Sequence, residues 1–411
     1  MSVKLKQLGV IEIQTIEFLR RYIVKIMRKL KRKIYLTIVE PIVSKMLFFL
    51  HVDKRKIVFS NFSGKGYGDN PKYIAEQIIK NQLDFKLVWL VNEISDDFPD
   101  EIRQVKNMSI PALVELSTAK IWINNVRNYH PIHKKKSQFY LQTWHGSYGP
   151  KKIEKEVERT LPKSYVKQAR LDGKMLDAII SGNNLQTKQF LDYFWLSDKA
   201  EILEIGLPRN DIFFDLEFMQ KTRKKLQQLY AIEEDELVVL YMPTFRDDGS
   251  TKGYDIDYHG IIQAFRERYK KKVKIIVRFH PNVQSIVKIP VSSDIINVTE
   301  YPDSQELMFL ADIMISDFSS APFDFTLLNK IVFLLLLDYE DYIKQRGITS
   351  SFEQIPFLKA YSNQELIDDI RQFDEKENWK RLENFYEIYK CYDKGNASEK
   401  AVEWIKNKII D

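Results

Sequence analysis

Several short stretches of this 411-residue sequence place groups capable of acid–base or phosphate chemistry directly after apolar runs. His145 stands in Gln142-Thr-Trp-His-Gly-Ser147 and His280 in Arg278-Phe-His-Pro281. An imidazole at a strand edge can act as a general base near neutral pH, although a histidine there also serves as a plain turn or strand cap. In Ser316-Asp-Phe-Ser-Ser-Ala-Pro-Phe-Asp324, Ser319 and Ser320 precede Pro322, the pattern of a helix's first turn. Free N–H groups and two hydroxyls in such a turn suit a phosphate, while serine is also the preferred cap with no ligand at all. Asp317 and Asp324 would repel a phosphate, so they are read as orienting a base, a ribose or the loop. Arg209, Arg246 and Arg278 are candidate clamps, because guanidinium matches phosphate oxygens in pairs; each taken alone is more often a surface ion pair. Metal ligation is not indicated, since there is no two-histidine helix motif and no tight carboxylate cluster. The glycines of Gly64-Lys-Gly-Tyr-Gly68 could approach a phosphate but read first as a flexible loop. There is no Gly-x-Gly-x-x-Gly and no Walker loop.

The elements that must position these groups follow from the apolar runs. Lys56–Ser60, Phe85–Asn92, Lys120–Asn124, Gln138–Trp144, Ala178–Ser181 and Ile202–Gly206 form one set of expected strands. Leu237–Met242, Val273–Phe279, Ile295–Thr299, Asp312–Ser316 and Ile331–Asp338 form a second. Many are rich in Val and Ile without strict alternation, as buried parallel strands are, and most spacers hold a crossover helix. The join falls near 206–235, with a charged helix over Gln220–Leu229. The spacing therefore predicts two doubly wound α/β domains, at 53–206 and 207–411. Ligands of such sheets sit beyond the carboxyl ends of the strands, where all the polar stretches above fall, so they are expected to converge on one interdomain cleft.

Charge is concentrated at one end. Residues 1–50 hold eleven Lys/Arg against three Glu, a local +8, while the whole chain carries +6. The main body is thus near neutral, which argues against nucleic acid as a partner. Ile16, Leu19, Ile23, Ile26, Leu30 and Ile34 recur at helical spacing, with Arg20, Arg21, Arg28, Lys29, Lys31 and Arg32 mostly on the other side. Residues 1–52 are read as a basic amphipathic segment for an anionic membrane surface, with Thr37–Leu50 deepening the contact. Glu40, Pro41 and Lys45 interrupt that stretch, so no run reaches a spanning length. Nothing resembles a signal-peptide cleavage site, which places the expected location on the cytoplasmic face. The single cysteine, Cys391, excludes an intramolecular disulfide framework.

The motifs occur in a recognisable order: Gln142-Thr-Trp-His-Gly, Gly206-Leu-Pro-Arg-Asn-Asp211, Tyr241-Met-Pro-Thr-Phe-Arg-Asp247, Arg278-Phe-His-Pro and Ile315-Ser-Asp-Phe-Ser-Ser-Ala-Pro-Phe-Asp-Phe-Thr-Leu-Leu-Asn-Lys330. Together with Lys56-Ile-Val-Phe-Ser-Asn-Phe-Ser-Gly-Lys-Gly-Tyr-Gly-Asp-Asn-Pro71, they resemble the CDP-glycerol glycerophosphotransferase family of teichoic acid synthesis, over roughly residues 55–390. The resemblance implies a GT-B fold, two Rossmann-like domains facing a cleft, with the last helix packing back on the first domain. It implies peripheral attachment to the inner face of a Gram-positive membrane. It also implies transfer of glycerol phosphate from CDP-glycerol to a hydroxyl of an undecaprenyl-type lipid-linked acceptor, with release of CMP. It implies His145 as general base, His280 on the donor diphosphate or leaving CMP, and Asp317 as an orienting group. Ser319 and Ser320 would hold the diphosphate, aided by Arg246 or Arg278, with Arg209, Asn210 and Asp324 also on the donor side. No cofactor is indicated for certain; a divalent cation and a homo-oligomer stay open. Two segments depart from the family pattern: Arg346-Gly-Ile-Thr-Ser-Ser-Phe352, and the Ser-Tyr-Gly-Pro turn after His145-Gly146. They leave open a ribitol or other polyol phosphate donor, as well as primase, transferase or polymerase. A nucleotide-sugar glycosyltransferase and an inactive membrane scaffold are the remaining alternatives.

Overall fold

The computed structural model describes residues 34–410, apart from residues 35, 36, 39, 131, 247, 281, 282, 284 and 285. The amphipathic face over Ile16–Leu30 therefore lies outside the described residues, as do Asp247 and Pro281 of the quoted motifs. The first sheet contains β1 (Asp53–Ser60), β2 (Lys86–Val91), β3 (Ile102–Lys106), β4 (Ala119–Asn124), β5 (Phe139–Gln142), β6 (Ala178–Ser181) and β7 (Glu201–Glu204). The second contains β8 (Leu237–Tyr241), β9 (Val273–Val277), β10 (Ile295–Asn297), β11 (Ile313–Ser316), β12 (Ile331–Leu335) and β13 (Leu358–Ala360). The strand orders are β3-β2-β1-β4-β5-β6-β7 and β10-β9-β8-β11-β12-β13. Neighbouring strands pair in parallel throughout.

Both sheets are covered on both faces, which explains the unbroken apolar runs. In β1, Ile57 and Phe59 enter one core while Val58 enters the opposite one. In β8, Val238 and Leu240 face one side and Leu237, Val239 and Tyr241 the other. Successive strand residues point to opposite faces, so a strand apolar at every position must be buried twice. Two strands escaped the sequence reading. β3 is buried only at Ile102 and Val105, with Arg103 and Gln104 between them, and β13 has three residues. Both sit at sheet edges, where burial demands least of the sequence.

The order reverses between β1 and β4 and between β8 and β11. These are the switch points at which open α/β sheets bind ligands. The chain then returns: Ala401, Val402, Trp404 and Ile405 of the last helix, Ala397–Ile410, join the core of the first sheet with Ile57 and Trp89. Asp211 fixes that return by accepting the N–H groups of Ala397 (2.9 Å) and Ser398 (2.7 Å) at the start of the helix.

Candidate active site

A cleft of 650 Å³ opens between the two sheets, lined by Phe62 and Lys151 from the first unit and by Thr244, Arg278, His280 and Ser319 from the second. His145 stands beside Phe62, at 5.4 Å between rings, and against Trp144 at 4.3 Å. Its Nδ1–H donates to the Asn125 carbonyl over 2.8 Å, the tautomer that leaves an Nε2 lone pair as acceptor. Burial lowers its pKa below the ordinary histidine value of 6.5. The Asn125 hydrogen bond and Asp69 oppose that shift, and Arg209 and Lys151 add to it. The ring is therefore neutral at pH 7 and able to take a proton. Trp144, just before it, has a φ of 52°, a left-handed backbone that costs a non-glycine residue about 1–3 kcal/mol and clusters at functional sites. Asn70 holds this turn by donating Nδ2–H to the Trp144 carbonyl (3.0 Å), while its Oδ1 accepts the Arg209 N–H (3.1 Å).

His280 is exposed at the end of β9, its ring 5.1 Å from Phe245. Packing at the cleft wall lowers its pKa, helped by the positive charges of Lys65 and Lys151 from the first unit. Arg278 lines the cleft and donates to the Tyr301 carbonyl; burial lowers its pKa.

The other two guanidiniums have different surroundings. Arg246 holds Asp338 with two bonds, Nε to Oδ2 at 2.6 Å and Nη2 to Oδ1 at 2.8 Å. Its Nη1 donates to the Thr244 carbonyl (2.6 Å) and lies 2.8 Å from Asp317 Oδ2. Asp317 in turn accepts the Thr244 N–H at 2.8 Å, so both groups brace the loop after β8. Arg209 reaches Asp69 (3.1 Å), the His145 carbonyl (2.7 Å) and Asp324 (2.6 Å) at once. Asn210 also donates to Asp324, over 3.3 Å. Arg209 and Arg246 are thus buried and tied to carboxylates, the ion-pair alternative of the sequence reading, and Arg246 also lines the cleft.

The two serines are placed differently from each other. The helix after it, Ala321–Phe325, is only five residues long. Ser319 lines the cleft, and its Oγ accepts the Ala321 N–H at 3.2 Å as a local cap. Ser320 faces the histidine loop instead: its carbonyl accepts from Ser147 Oγ at 3.4 Å, and a Cβ on Gly146 would lie 2.9 Å from Ser320 Oγ. Glycine after His145 is what lets the two loops approach. The loop at 64–68, read as flexible, is hydrogen-bonded: Gly64 N–H donates to Asn61, and Asn92 N–H donates to the Gly64 carbonyl, each over 2.8 Å.

Residues 42–407 match the family described as CDP-Glycerol:Poly(glycerophosphate) glycerophosphotransferase. The chain belongs to this family. It is 28% identical to the teichoic acid poly(glycerol phosphate) polymerase of Bacillus spizizenii, over 91% of this chain and 98% of that one. Against the teichoic acid glycerol-phosphate transferase of Staphylococcus aureus the identity is 28%, covering 86% and 93%. The polymerase of Staphylococcus epidermidis is 29% identical over 87% of this chain, which spans only 51% of that protein's length. The solved wall teichoic acid polymerase TagF superposes with a TM-score of 0.78 at 26% identity, covering 95% of this chain and 96% of that one. A variant of that polymerase soaked with CDPG gives the same TM-score at 25% identity, covering 94% of this chain and 98% of that one. The family's two-sheet α/β architecture is therefore the architecture found here.

The structure places Arg246, Arg278, His280 and Ser319 in the cleft's lining and His145 beside it against Phe62, with Asp317, Arg209, Asn210 and Asp324 buried among the described residues. The sequence reading missed Asp69, Asn70, Asn125 and Asp338, which hold the others. Asp69 and Asn70 stood in the quoted Gly-Asp-Asn-Pro71 segment and Asp338 closed a strand run, but their partners are distant in sequence. The two departing segments meet each other. Lys151 pairs with Ile348, Thr349 N–H donates to the Pro150 carbonyl at 2.8 Å, and Tyr148 OH shares hydrogen bonds with Thr349 and Ser351.

Proposed function

We propose that this chain transfers glycerol phosphate from CDP-glycerol to a hydroxyl of a lipid-linked acceptor, releasing CMP, in teichoic acid synthesis. The family match and the names of the relatives support the donor and the polymer. The observation that carries the mechanism is the tethered His145, with its neutral imidazole and a free Nε2 beside the cleft. In the proposed reaction, the acceptor oxygen forms a bond to the glycerol-bearing phosphorus as the phosphoanhydride P–O bond breaks. Nε2 takes the hydroxyl proton, and the electron pair leaves on CMP. Arg278 and Lys151 line the cleft as the cations proposed to meet charge on the transferring and leaving phosphates, with His280, its pKa lowered by burial, as a hydrogen-bonding partner. Fixed cations in a cleft are the main catalytic resource for phosphoryl transfer. No covalent enzyme intermediate is needed. Arg246 and Arg209 act by positioning, since each is already held by carboxylates.

The acceptor's lipid places the work at a membrane surface. Ile38, Ile42, Met46 and Phe49 recur at three- or four-residue steps and are 55%, 57%, 71% and 88% exposed, an apolar stripe that suits an interfacial segment. No described helix is long and apolar enough to cross a membrane. The cations of residues 1–36 are proposed to supply the attraction that this stripe lacks alone, so their removal is expected to shift the protein from the membrane to the soluble fraction with the fold intact. Pelleting of the shortened protein with anionic vesicles would sink that reading.

CMP release, measured with CDP-glycerol and CDP-ribitol in parallel on a membrane-embedded acceptor, tests the reaction. Release with CDP-glycerol alone supports it. Release with CDP-ribitol alone selects the second reading, which has its own support in a 24% identical ribitol-phosphate primase of Bacillus spizizenii, matched over 92% of that protein.

A further inference from the structure

Arg278 is half-buried in the cleft wall, where it donates to the Tyr301 carbonyl. Unlike Arg209 and Arg246, it has no carboxylate at ion-pair distance among the described residues. A carboxylate is nevertheless close by. Asp303 follows Tyr301 by two residues, and its charge reaches the guanidinium, where it opposes the lowering of the Arg278 pKa by burial. A guanidinium removed from water ordinarily pairs with such a neighbour. Asp303 is instead engaged from the other side of the molecule.

The groups that engage it belong to the first unit. In the helix Asp69–Lys80, Lys72 Nζ donates to Asp303 Oδ2 over 2.9 Å, and Tyr73 OH donates to the same oxygen over 2.8 Å. The other oxygen, Oδ1, accepts the Gln305 N–H at 3.0 Å and caps the helix Ser304–Leu310. Both members of the ion pair are largely buried, so water offers neither charge a ready substitute. Burial works against the Asp303 anion, but Lys72 and Tyr73 help to outweigh it and its pKa stays below the ordinary 3.8. Asp303 is therefore charged at neutral pH and able to compete for a guanidinium. The neighbouring Glu306 is taken by Tyr301 OH. In the same turn of the first unit's helix, Asn70 holds the backbone beside His145. One helix thus seats the base and engages the anion beside Arg278.

We propose that Lys72 and Tyr73 are positioning residues for the donor: by holding Asp303 they keep Arg278 open to the diphosphate of CDP-glycerol, so that the second unit's donor site is complete only with the first unit's helix against it. The assignment rests on the transferase reading above. With Lys72 removed, Asp303 turns to Arg278, and the donor must displace a carboxylate before it binds.

Calorimetric titration of CDP-glycerol into variants of the full chain tests this without turnover. Lys72→Met is expected to raise the Kd about tenfold, the scale of one charge-assisted hydrogen bond. Tyr73→Phe changes no charge and keeps the ring, and should raise it about threefold. Asp303→Asn keeps the helix cap and should stay within about twofold of wild type, and the double variant Lys72→Met/Asp303→Asn should return to that range. The rescue is decisive, because a long-range effect of net charge would make the two substitutions additive, with Asp303→Asn alone tightening binding about as much as Lys72→Met weakens it. Additive effects, a double variant that does not recover, or affinities within about twofold of wild type in both Lys72→Met and Tyr73→Phe would overturn the proposal and leave the donor reading standing. Inorganic pyrophosphate is titrated in parallel. If the wild type binds pyrophosphate with this pattern but does not bind CDP-glycerol, the junction stands and the transferase reading fails.

Discussion

The two walls of the cleft are built on the same plan but stabilised differently. The second unit's loops are held by buried charge: Arg246 joins Asp338 and Asp317 beneath the donor side. Beneath His145 the first unit's loops are held largely by neutral groups: Asn125 Nδ2 donates to Asn61 Oδ1 over 2.7 Å and Asn70 donates to the Trp144 carbonyl, while the buried Arg127, paired with Glu154 and Asp172, lies farther along the loop after β4. Arg209 links the two systems by carrying Asp69 on one side and Asp324 on the other. The difference fits the proposed chemistry. A wall that faces a diphosphate gains from a rigid frame whose own cations are already compensated, so that Arg278, with Lys151 from the opposite wall, answers the ligand. A proton acceptor loses basicity to nearby positive charge, and beyond burial, Arg209 and Lys151 already lower the His145 pKa, so neutral amides beneath the ring avoid depressing it further.

Five measurements would break or sharpen this comparison. The largest effect is expected for His145→Ala: transfer should fall by about 10²–10⁴, the usual contribution of a general base, while CDP-glycerol still binds. Near-normal turnover would remove His145 from the mechanism. Asp338→Ala leaves Arg246 buried without its bidentate partner and should cost about 3–5 kcal/mol of stability; a Tm unchanged from wild type would show that the charged frame is dispensable. Arg278→Ala should raise the KM for CDP-glycerol by about 10–100-fold, the worth of a charge-assisted hydrogen bond, with little change in Tm. An equal loss of stability would place Arg278 with Arg246 in the frame. The pH profile comes next. Because burial lowers the His145 pKa, its proton-accepting form is lost only below the ordinary histidine value of 6.5, so the acidic limb of kcat/KM should fall below that pH. A limb above pH 7 would contradict the neutral wall.

The smallest effect concerns the strap returning to the first unit. Burial pushes the Asp393 carboxyl up to about 7 from an ordinary value of 3.8. The folded state thus favours its protonated form, and this contribution is complete below 3.8 and lost as pH rises through 7. Asp393→Asn should therefore lose less Tm than wild type between about pH 5 and about pH 8. Parallel Tm curves would show that this carboxyl does not govern the strap.

Much of the architecture was legible because parallel strands buried on both faces leave an unmistakable mark. Eleven apolar runs correspond to strands, and the two strands overlooked, β3 and β13, are edge strands with weak apolar demand. The site was legible to the extent that its groups follow strands directly, as His145 follows β5 and His280 follows β9. The roles of the arginines were not. Arg246 looks like a phosphate clamp in Tyr241-Met-Pro-Thr-Phe-Arg-Asp247, and nothing local announces Asp338, ninety-two residues away in the chain. Ser320 likewise reads as a helix cap until Gly146 brings the opposite loop against it.

The sequence by itself determined the two sheets, the places where each strand ends and the chemical types gathered there, because periodicity and strand-end polarity are local properties of the chain. The tertiary structure alone decided which charges are already compensated, which serine faces the cleft and which asparagines hold the His145 turn. Those facts depend on pairs of residues brought together from opposite sheets, and a pairing energy has no signature in either partner's own neighbourhood.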